Sequence, residues 1–264
     1  MNTLCFDIET GSEVDTVLES FFTFDDTKVK NYDLLGKRFD PAEVRCGNLK
    51  DATKIQQKIA ESQQKFEAAK EAVAENIAIA RAEAWQEFKD KAALSPLTGQ
   101  VLAIGWLNPE DSAYVYDFIS NDSVAPVSEK ELIEHFLSLA DAVLSDGGRL
   151  MGHNIIGFDL PFLLRRGLKY GIRPPKTITN ALVQFRATNL IDTQREWAMG
   201  GRTTEFIALD KLAMFFGARR KTGDGKDFSK LFFGSIEEKE KALNYLENDV
   251  RMTFEIATKM RLID

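Results

Sequence analysis

The first strand of this sequence contains Cys5-Phe6-Asp7-Ile8-Glu9-Thr10-Gly11, and the interpretation of the whole chain starts from it. An apolar run predicts a strand over Leu4–Ile8. Asp7 and Glu9 flank a single residue near the end of that run, and side chains alternate along a strand. The stretch therefore predicts two carboxylates that extend to the same side.

Two further patches carry acidic residues. One reads Gly152-His153-Asn154-Ile155-Ile156-Gly157-Phe158-Asp159, in which Asp159 opens a helix after an apolar strand. The other reads Tyr245-Leu246-Glu247-Asn248-Asp249, where a spacing of four on a helix puts Tyr245 and Asp249 on one face. Converging carboxylates repel each other unless cations are bound, and Mg²⁺ or Mn²⁺ prefers such all-oxygen sites. The three patches together predict a divalent-metal site.

Each patch also has a purely structural explanation. Asp159 is followed by Leu160-Pro161 and is a reasonable helix N-cap, because Pro is favoured in the first helical turn. Asp249 is explained equally well by a solvated helix face. Tyr245 is explained by a core aromatic ring with a solvated hydroxyl. The metal-site interpretation depends on the three patches occurring together and in this order.

In this order, the patches resemble the three motifs of the DEDD superfamily of 3′–5′ exonucleases, which have the ribonuclease H-like fold. Asp-Ile-Glu-Thr is similar to the first motif of the proofreading domain of family B DNA polymerases, and Asn154 with Phe158-Asp159 is similar to the second. Tyr245, three residues and Asp249 resemble the tyrosine branch (DEDDy), since the histidine branch has His where this sequence has Asn244. The resemblance covers 1–11 and roughly 97–264, with no palm or fingers region, and implies a stand-alone exonuclease.

The order of predicted elements agrees with that fold. Strands are predicted at 4–8, 101–107, 113–118, 149–153 and 189–192. Helices are predicted after the capping residues Ser128 and Ser235 and over 160–170 and 209–216. Three strands followed by helix–strand alternation favour an α/β protein, a mixed five-stranded sheet with helices on both faces. We expect a single ribonuclease H-like domain over 1–264, with a helical insertion between strands 1 and 2.

The insertion covers about 48–95 and contains neither Gly nor Pro. Its apolar residues recur mainly every three, four or seven positions, which predicts an amphipathic helix or helical pair. One helix of ~40 residues would extend ~60 Å, so a bent pair is the expectation. A brace over a sheet edge, a substrate wall, a dimer contact and a dock for a replication or repair protein all fit. Eight basic and eight acidic residues over 50–91 make non-specific DNA clamping the least expected role.

The resemblance implies a two-metal mechanism of phosphodiester hydrolysis with two Mg²⁺ or Mn²⁺ ions. By that resemblance Asp7 bridges both metals, Glu9 and Asp249 complete the tighter site, and Asp159 holds the second metal through water. Tyr245 orients the attacking water, because an ordinary phenol with a pKa near ~10 is a poor base at neutral pH.

The substrate-binding residues predicted beside this centre are Thr10, Gly11, Asn154, Phe158, Arg165, Arg166 and Lys221. Backbone N–H groups at the first two would meet the 3′ end, while the amide and ring of the next two resemble family residues that hold the terminal nucleotides. The basic residues belong to two runs that would bind phosphates. Core packing of the phenylalanine and ordinary solvation of the charged runs are the alternatives. Asp192 also resembles an acidic position of the family, and a structural role is expected for it.

Composition points to a soluble cytoplasmic enzyme that contacts no membrane. No apolar run is long enough to span a bilayer, no signal peptide is evident, and the two cysteines suggest neither disulfide nor zinc site. A net charge of −7 disfavours a protein that coats nucleic acid, but not a nuclease. The predicted function is a metal-dependent 3′–5′ exonuclease that releases nucleoside 5′-monophosphates, with single-stranded DNA favoured over RNA. An exoribonuclease that trims RNA and a catalytically silent binding module are the alternatives.

Overall fold

A computed structural model describes residues 2–108, 110–123, 125–183, 189–199, 207–223 and 225–263. The chain divides into two compact units. We call Met1–Val14 with Ala92–Asp264 the sheet unit, and Asp15–Lys91 the helical unit. The sheet unit carries all the residues that the sequence predicts for the site.

The described residues of the sheet unit form a five-stranded mixed sheet in the order β3-β2-β1-β4-β5. These strands are β1 (Thr3–Ser12), β2 (Gly99–Leu107), β3 (Tyr114–Phe118), β4 (Arg149–Gly152) and β5 (Leu190–Asp192). β1 pairs antiparallel with β2 and parallel with β4, so the strand that carries Asp7 and Glu9 lies at the centre. The mixed sheet confirms the predicted fold class and is consistent with a ribonuclease H-like fold.

Helices cover both faces of the sheet, as predicted. The helices of this unit are α3 (Glu129–Ser145), α4 (Asp159–Lys169), α5 (Lys176–Val183), α6 (Thr193–Trp197), α7 (Leu209–Phe216), α8 (Phe228–Phe232) and α9 (Ile236–Lys259). Leu4, Phe6 and Ile8 of β1 belong to one hydrophobic core with α3, α4 and α5, whereas Cys5 belongs to a second core with α8 and α9. Since Asp7 and Glu9 share the parity of Cys5, they extend toward the α9 side of the sheet.

Two sequence signals define how the longer helices begin. Both predicted capping boxes are present, at Ser128 before α3 and at Ser235 before α9. Each serine hydroxyl accepts a hydrogen bond from the third helical N–H, which satisfies a donor that the helix itself leaves unpaired. Helix α7 also ends as predicted, with Gly217 in the left-handed region at φ 61°.

Close approach of α9 to the sheet requires a glycine opposite Asp7. Gly105 of β2 pairs with Asp7 across the antiparallel ladder. A Cβ at Gly105 would lie 2.5 Å from the Tyr114 hydroxyl and 2.9 Å from the side chain of Leu246 on α9. The absence of that Cβ therefore lets α9 approach the carboxylates of β1.

The helical unit corrects one prediction. Instead of a bent pair, Ala52–Ala92 forms a single helix of 41 residues, α2, preceded by the short helix α1 (Asp15–Leu18) and three 3-10 turns. The expected pair rests on length, because one unbroken helix of ~40 residues extends ~60 Å. The irregular segment before α2 covers the apolar stripe of the single helix, with ring centroids 5.0 Å apart for Phe22 and Trp85 and 5.8 Å apart for Phe39 and Phe66. Within the described ranges, no helix combines the length and apolar character needed to cross a membrane.

Candidate active site

The three acidic patches converge at one end of the sheet. Asp7 and Glu9 from β1 and Asp249 from α9 each offer a carboxylate oxygen, and these oxygens lie within 4.8 Å of one another. Asp159 and Tyr245 join them in the lining of a cavity of about 510 Å³. All five residues predicted to be catalytic therefore meet at one place, although the first and the last, Asp7 and Asp249, are 242 positions apart along the chain.

Asp159 is tied to β1 and does not cap its own helix. Phe158 is the residue before α4, and Asp159 is the first helical residue. The Asp159 carboxylate accepts a hydrogen bond from the backbone N–H of Ile8 at 3.2 Å and shares a hydrogen bond with Asp7. The N-cap alternative is therefore wrong for this residue, and Asp159 is 3% exposed beside the acidic cluster.

Tyr245 and Asp249 lie one turn apart on α9 and are connected through Lys221. The Lys221 ammonium donates a hydrogen bond to the Tyr245 hydroxyl at 2.6 Å and lies 3.0 Å from Asp249 Oδ2. The Tyr245 hydroxyl in turn hydrogen-bonds to the Asp249 carboxylate. Lys221 is thus placed among the carboxylates themselves. Asp224, in the same predicted basic loop, lies outside the described residues.

The cavity is short of positive charge. Burial raises the pKa of Asp7 and of Glu9 well above their usual range, and neighbouring carboxylates raise both further. Burial likewise raises the pKa of Asp159, to about 7. Burial raises the pKa of Asp249 although Lys221 opposes it, and the carboxylates hold the pKa of Lys221 above its usual value despite the burial of that side chain. Among the described residues that line the site, one ammonium does not balance four carboxylates, so the site favours an additional cation.

The donor set fits a hard divalent ion. Oxygen atoms supplied by clustered carboxylates are the preferred ligands of Mg²⁺ and Mn²⁺. Asp249 Oδ1 is buried and finds no hydrogen-bond partner among the described residues, as expected for an atom that a cation would satisfy. Asp7, Glu9 and Asp249 are therefore the residues that would hold a metal ion, and Asp159 is the nearest further carboxylate to Asp7.

Besides Lys221, two predicted substrate-binding residues line the cavity. Asn154 adopts the left-handed region at φ 64° and donates its backbone N–H to Asp192 at 2.9 Å. Phe158 packs partly into the first hydrophobic core, with its ring 5.3 Å from that of Phe162, and also contributes to the cavity wall. The structural role expected for Asp192 is confirmed, because its carboxylate also accepts from the N–H of Ile156 and so fixes the loop of the second patch.

Other predicted residues are placed elsewhere. The Thr10 hydroxyl donates to the Ala93 carbonyl at 2.8 Å, and Gly11 is tightly packed against Leu102 in the β1–β2 pair. Neither residue is part of the described cavity lining, so the structure does not place them where they would contact a 3′ end bound in the cavity. Arg165 lies exposed on α4, also outside that lining.

Arg166 has a structural role instead of the predicted phosphate contact. Its side chain is 1% exposed, and Nη2 lies 2.5 Å from Glu129 and 2.7 Å from Glu13. Nε also donates to Glu129 at 2.8 Å, so the pair is bidentate. The predicted phosphate role is therefore wrong, because the guanidinium is fully engaged in linking α3, α4 and the end of β1.

His153 is a cavity residue for which the sequence predicts no role. Its Nε2 bonds to the Ile207 carbonyl at 3.0 Å and its Nδ1 to the Thr193 hydroxyl at 2.9 Å. A carbonyl only accepts, so Nε2 carries the proton and Nδ1 accepts from the hydroxyl. Burial lowers the pKa of His153, which keeps the ring neutral and makes it a brace for the wall that contains Ile207. No periodicity in the sequence marks that wall.

Comparison with solved structures finds the same fold in a family B DNA polymerase from the hyperthermophilic archaeon Pyrobaculum calidifontis. The similarity has a TM-score of 0.50 at 17% identity and covers 65% of this chain. The chain spans only 23% of the polymerase's length. A scan against protein-family models and a search of curated proteins give no match. The class that the fold and this likeness define is an α/β protein with a ribonuclease H-like sheet, structurally similar to part of a DNA polymerase.

Proposed function

We propose that this chain is a metal-dependent 3′–5′ exonuclease of the DEDD superfamily, tyrosine branch, which hydrolyses nucleic acid from the 3′ end and releases nucleoside 5′-monophosphates. The observation that carries the proposal is the convergence of Asp7, Glu9 and Asp249 within 4.8 Å, in a cavity that Asp159 and Tyr245 also line. The whole chain would be one exonuclease domain, interrupted between β1 and β2 by the helical unit. Single-stranded DNA is the favoured substrate, and RNA is the alternative.

The carboxylates perform the first task, which is to hold cations against a phosphodiester. Asp7, Glu9 and Asp249 would bind one Mg²⁺ or Mn²⁺ ion, and Asp159 beside Asp7 would help to bind a second. Bound ions of this kind supply charge stabilisation for the attacking and leaving oxygens of phosphodiester hydrolysis. The N–H of Ile8 holds the Asp159 carboxylate in place, so the backbone of β1 orients ligands on two different elements.

Tyr245 and Lys221 perform the second task, which is to orient the attacking water. Burial raises the pKa of Tyr245, and the nearby Asp249 carboxylate raises it further, so the hydroxyl keeps its proton near neutral pH. It therefore acts through hydrogen bonding and not as a base. Lys221 donates to this hydroxyl at 2.6 Å and fixes its direction, which makes it a positioning residue.

Asn154 and Phe158 perform the third task, which is to hold the terminal nucleotides. Both line the cavity next to Asp159. A carboxamide offers both donors and acceptors to a sugar or base, and an aromatic ring offers a stacking surface that tolerates any base. The fixed backbone of Asn154, anchored on Asp192, suits it to this role.

The direct test uses 5′-labelled single-stranded DNA and RNA of one sequence, incubated with Mg²⁺, Mn²⁺ or EDTA and resolved on a denaturing gel. A metal-dependent ladder that shortens from the 3′ end is expected, with DNA cleaved faster than RNA. Asp7→Asn should abolish the ladder, whereas Asp146→Asn, a matched change at an exposed helix terminus, should leave it unchanged. Full activity of Asp7→Asn, or activity in EDTA, would exclude the proposed metal chemistry.

A further inference from the structure

The helical unit concentrates positive charge around one cavity of about 630 Å³. Its basic lining residues are Lys37, Arg38, Arg45, Lys58 and Lys65. Asp40 and Glu43 are the acidic residues in that lining. The surplus of cations is unusual in a chain whose net charge is −7. We call this site the basic cavity.

The surplus arises from the way the fold sorts charges that are balanced along the sequence. Lys58, Ser62, Lys65 and Phe66 lie at helical spacings of four, seven and eight, so they form one face of α2. That face contributes two lysines to the described lining and none of the acidic residues of α2. The segment 37–45 adds the remaining cations. Eight basic and eight acidic residues over 50–91 therefore do not produce an electrically neutral surface.

Four of the five cations of this cavity are available to a ligand. Lys37 is paired with Asp33 at 2.7 Å. In the described part of the chain, no hydrogen-bond or ion-pair partner is found for the exposed side chains of Arg38, Arg45, Lys58 and Lys65. Asp40 and Glu43 offset only part of this charge, since five cations and two carboxylates line the cavity. A local excess of positive charge attracts a polyanion.

The shape of the site favours an extended anion. Lys58 and Lys65 are seven residues apart on a helix, which separates them by about 10 Å along its axis. That separation exceeds the size of a single phosphate ion, so the two lysines would contact different phosphates of one strand. Phe39 and Phe66, with ring centroids 5.8 Å apart, line the same cavity and offer partly exposed aromatic surface beside the cations. Cations along a backbone path together with aromatic rings are the combination that binds single-stranded nucleic acid.

We propose that the basic cavity binds the phosphodiester backbone of single-stranded nucleic acid, as a contact separate from the acidic site. The choice of nucleic acid among polyanions rests on the proposed exonuclease function, whereas the existence of an anion site does not. This contact would give the helical unit a role in retaining long strands, which its balanced composition does not predict.

The test is a binding titration of the full chain in EDTA, with Asp7→Asn present throughout to prevent cleavage. The probe is 5′-fluorescein single-stranded DNA of 30 nucleotides, followed by fluorescence anisotropy. Lys58→Glu with Lys65→Glu should weaken binding by about tenfold or more at low salt, and should reduce the slope of log K against log salt by ~1.4. The matched control, Lys28→Glu with Lys91→Glu, changes charge equally at exposed lysines of the same unit outside this lining and should bind normally.

Equal affinity and equal salt slope in the two double variants would overturn the proposal. If the glutamate pair unfolds, Lys58→Gln with Lys65→Gln is used, with an expected slope change of the same sign. Vesicle binding provides a second refuting outcome. If Lys58→Glu with Lys65→Glu, the cavity variant, no longer sediments with phosphatidylserine vesicles but still binds DNA, the site belongs to a membrane contact and the proposal is refuted.

Cleavage of a five-nucleotide substrate separates failure of this inference from failure of the exonuclease. With Asp7 restored, the cavity variant should cleave that substrate at the rate of the unmodified chain. If the unmodified chain cleaves nothing, the exonuclease proposal fails, and the anisotropy result still decides whether the cavity binds DNA.

Discussion

Stability of the metal-free chain should fall as pH rises, because Asp159 holds its proton when folded. Burial raises the pKa of Asp159 to about 7, against about 3.9 in an unfolded chain. The folded chain therefore binds more protons than the unfolded chain between these values. The stability that the Asp159 proton contributes is complete below pH ~4 and is lost as pH rises through ~7.

The size of the effect follows from the two pKa values. Ionising Asp159 in the folded state costs about 4 kcal/mol in total, of which about 2.5 kcal/mol is lost between pH 5 and pH 8. Asp159→Asn removes this titration but keeps an oxygen that accepts from the N–H of Ile8. In EDTA, the free energy of unfolding of the variant should gain about 2.5 kcal/mol on that of the parent chain between pH 5 and pH 8.

Urea unfolding at pH 5, 6, 7 and 8 measures this difference directly. Addition of Mn²⁺ at pH 8 should restore the parent chain and have less effect on Asp159→Asn, because a ligand that binds only the folded state stabilises it. Asp146→Asn controls for the loss of one carboxylate at an exposed position. Parallel pH curves for the parent chain and Asp159→Asn would refute the assignment of the raised pKa to this carboxylate.

Three further substitutions test other contacts. Tyr245→Phe should lower kcat by about a hundredfold through loss of water orientation, with Mn²⁺ affinity by calorimetry unchanged. Lys221→Met should reduce the Mn²⁺ concentration needed for half-maximal activity, because it removes a competing cation. The same change should lower kcat at saturating metal by about tenfold. An unchanged metal requirement would contradict the place of Lys221 among the carboxylates. Arg166→Met should destabilise the chain by about 3–5 kcal/mol in urea unfolding, because Glu129 is left buried without its partner. The exposed neighbour Arg165→Met should change stability by under about 0.5 kcal/mol.

Short-range patterns in the sequence identified the elements and the acidic residues. Alternation on β1, the spacing of four between Tyr245 and Asp249, and the capping serines all depend on local geometry that is the same in any fold. The order of the motifs then predicted that the patches meet, and the structure brings them together. The prediction of a bent helical pair was wrong for a nonlocal reason. The apolar stripe of α2 is covered by residues that have no periodic pattern of their own.

Cationic residues were the harder part of the site to place from sequence. Arg166 and Lys221 occur in similar basic runs, yet one is buried in ion pairs with Glu129 and Glu13 and the other lies among the clustered carboxylates. A long flexible side chain takes the direction that its tertiary partners offer, so a run of basic residues does not define which of them face solvent. A carboxylate on a central strand has a short side chain and a fixed direction, which makes its position predictable.

The distribution of charge provides a physical link between the two proposals. A chain with net charge −7 repels a polyanion, and the acidic cavity adds to that repulsion until cations bind there. In the proposed exonuclease, the carboxylates would therefore serve cleavage at the expense of substrate binding. The proposed contact with unpaired cations of the helical unit would offset this for long strands, because each phosphate contact releases a counterion. Metal dependence of cleavage and salt dependence of binding then have separate origins, in residues that can be substituted independently.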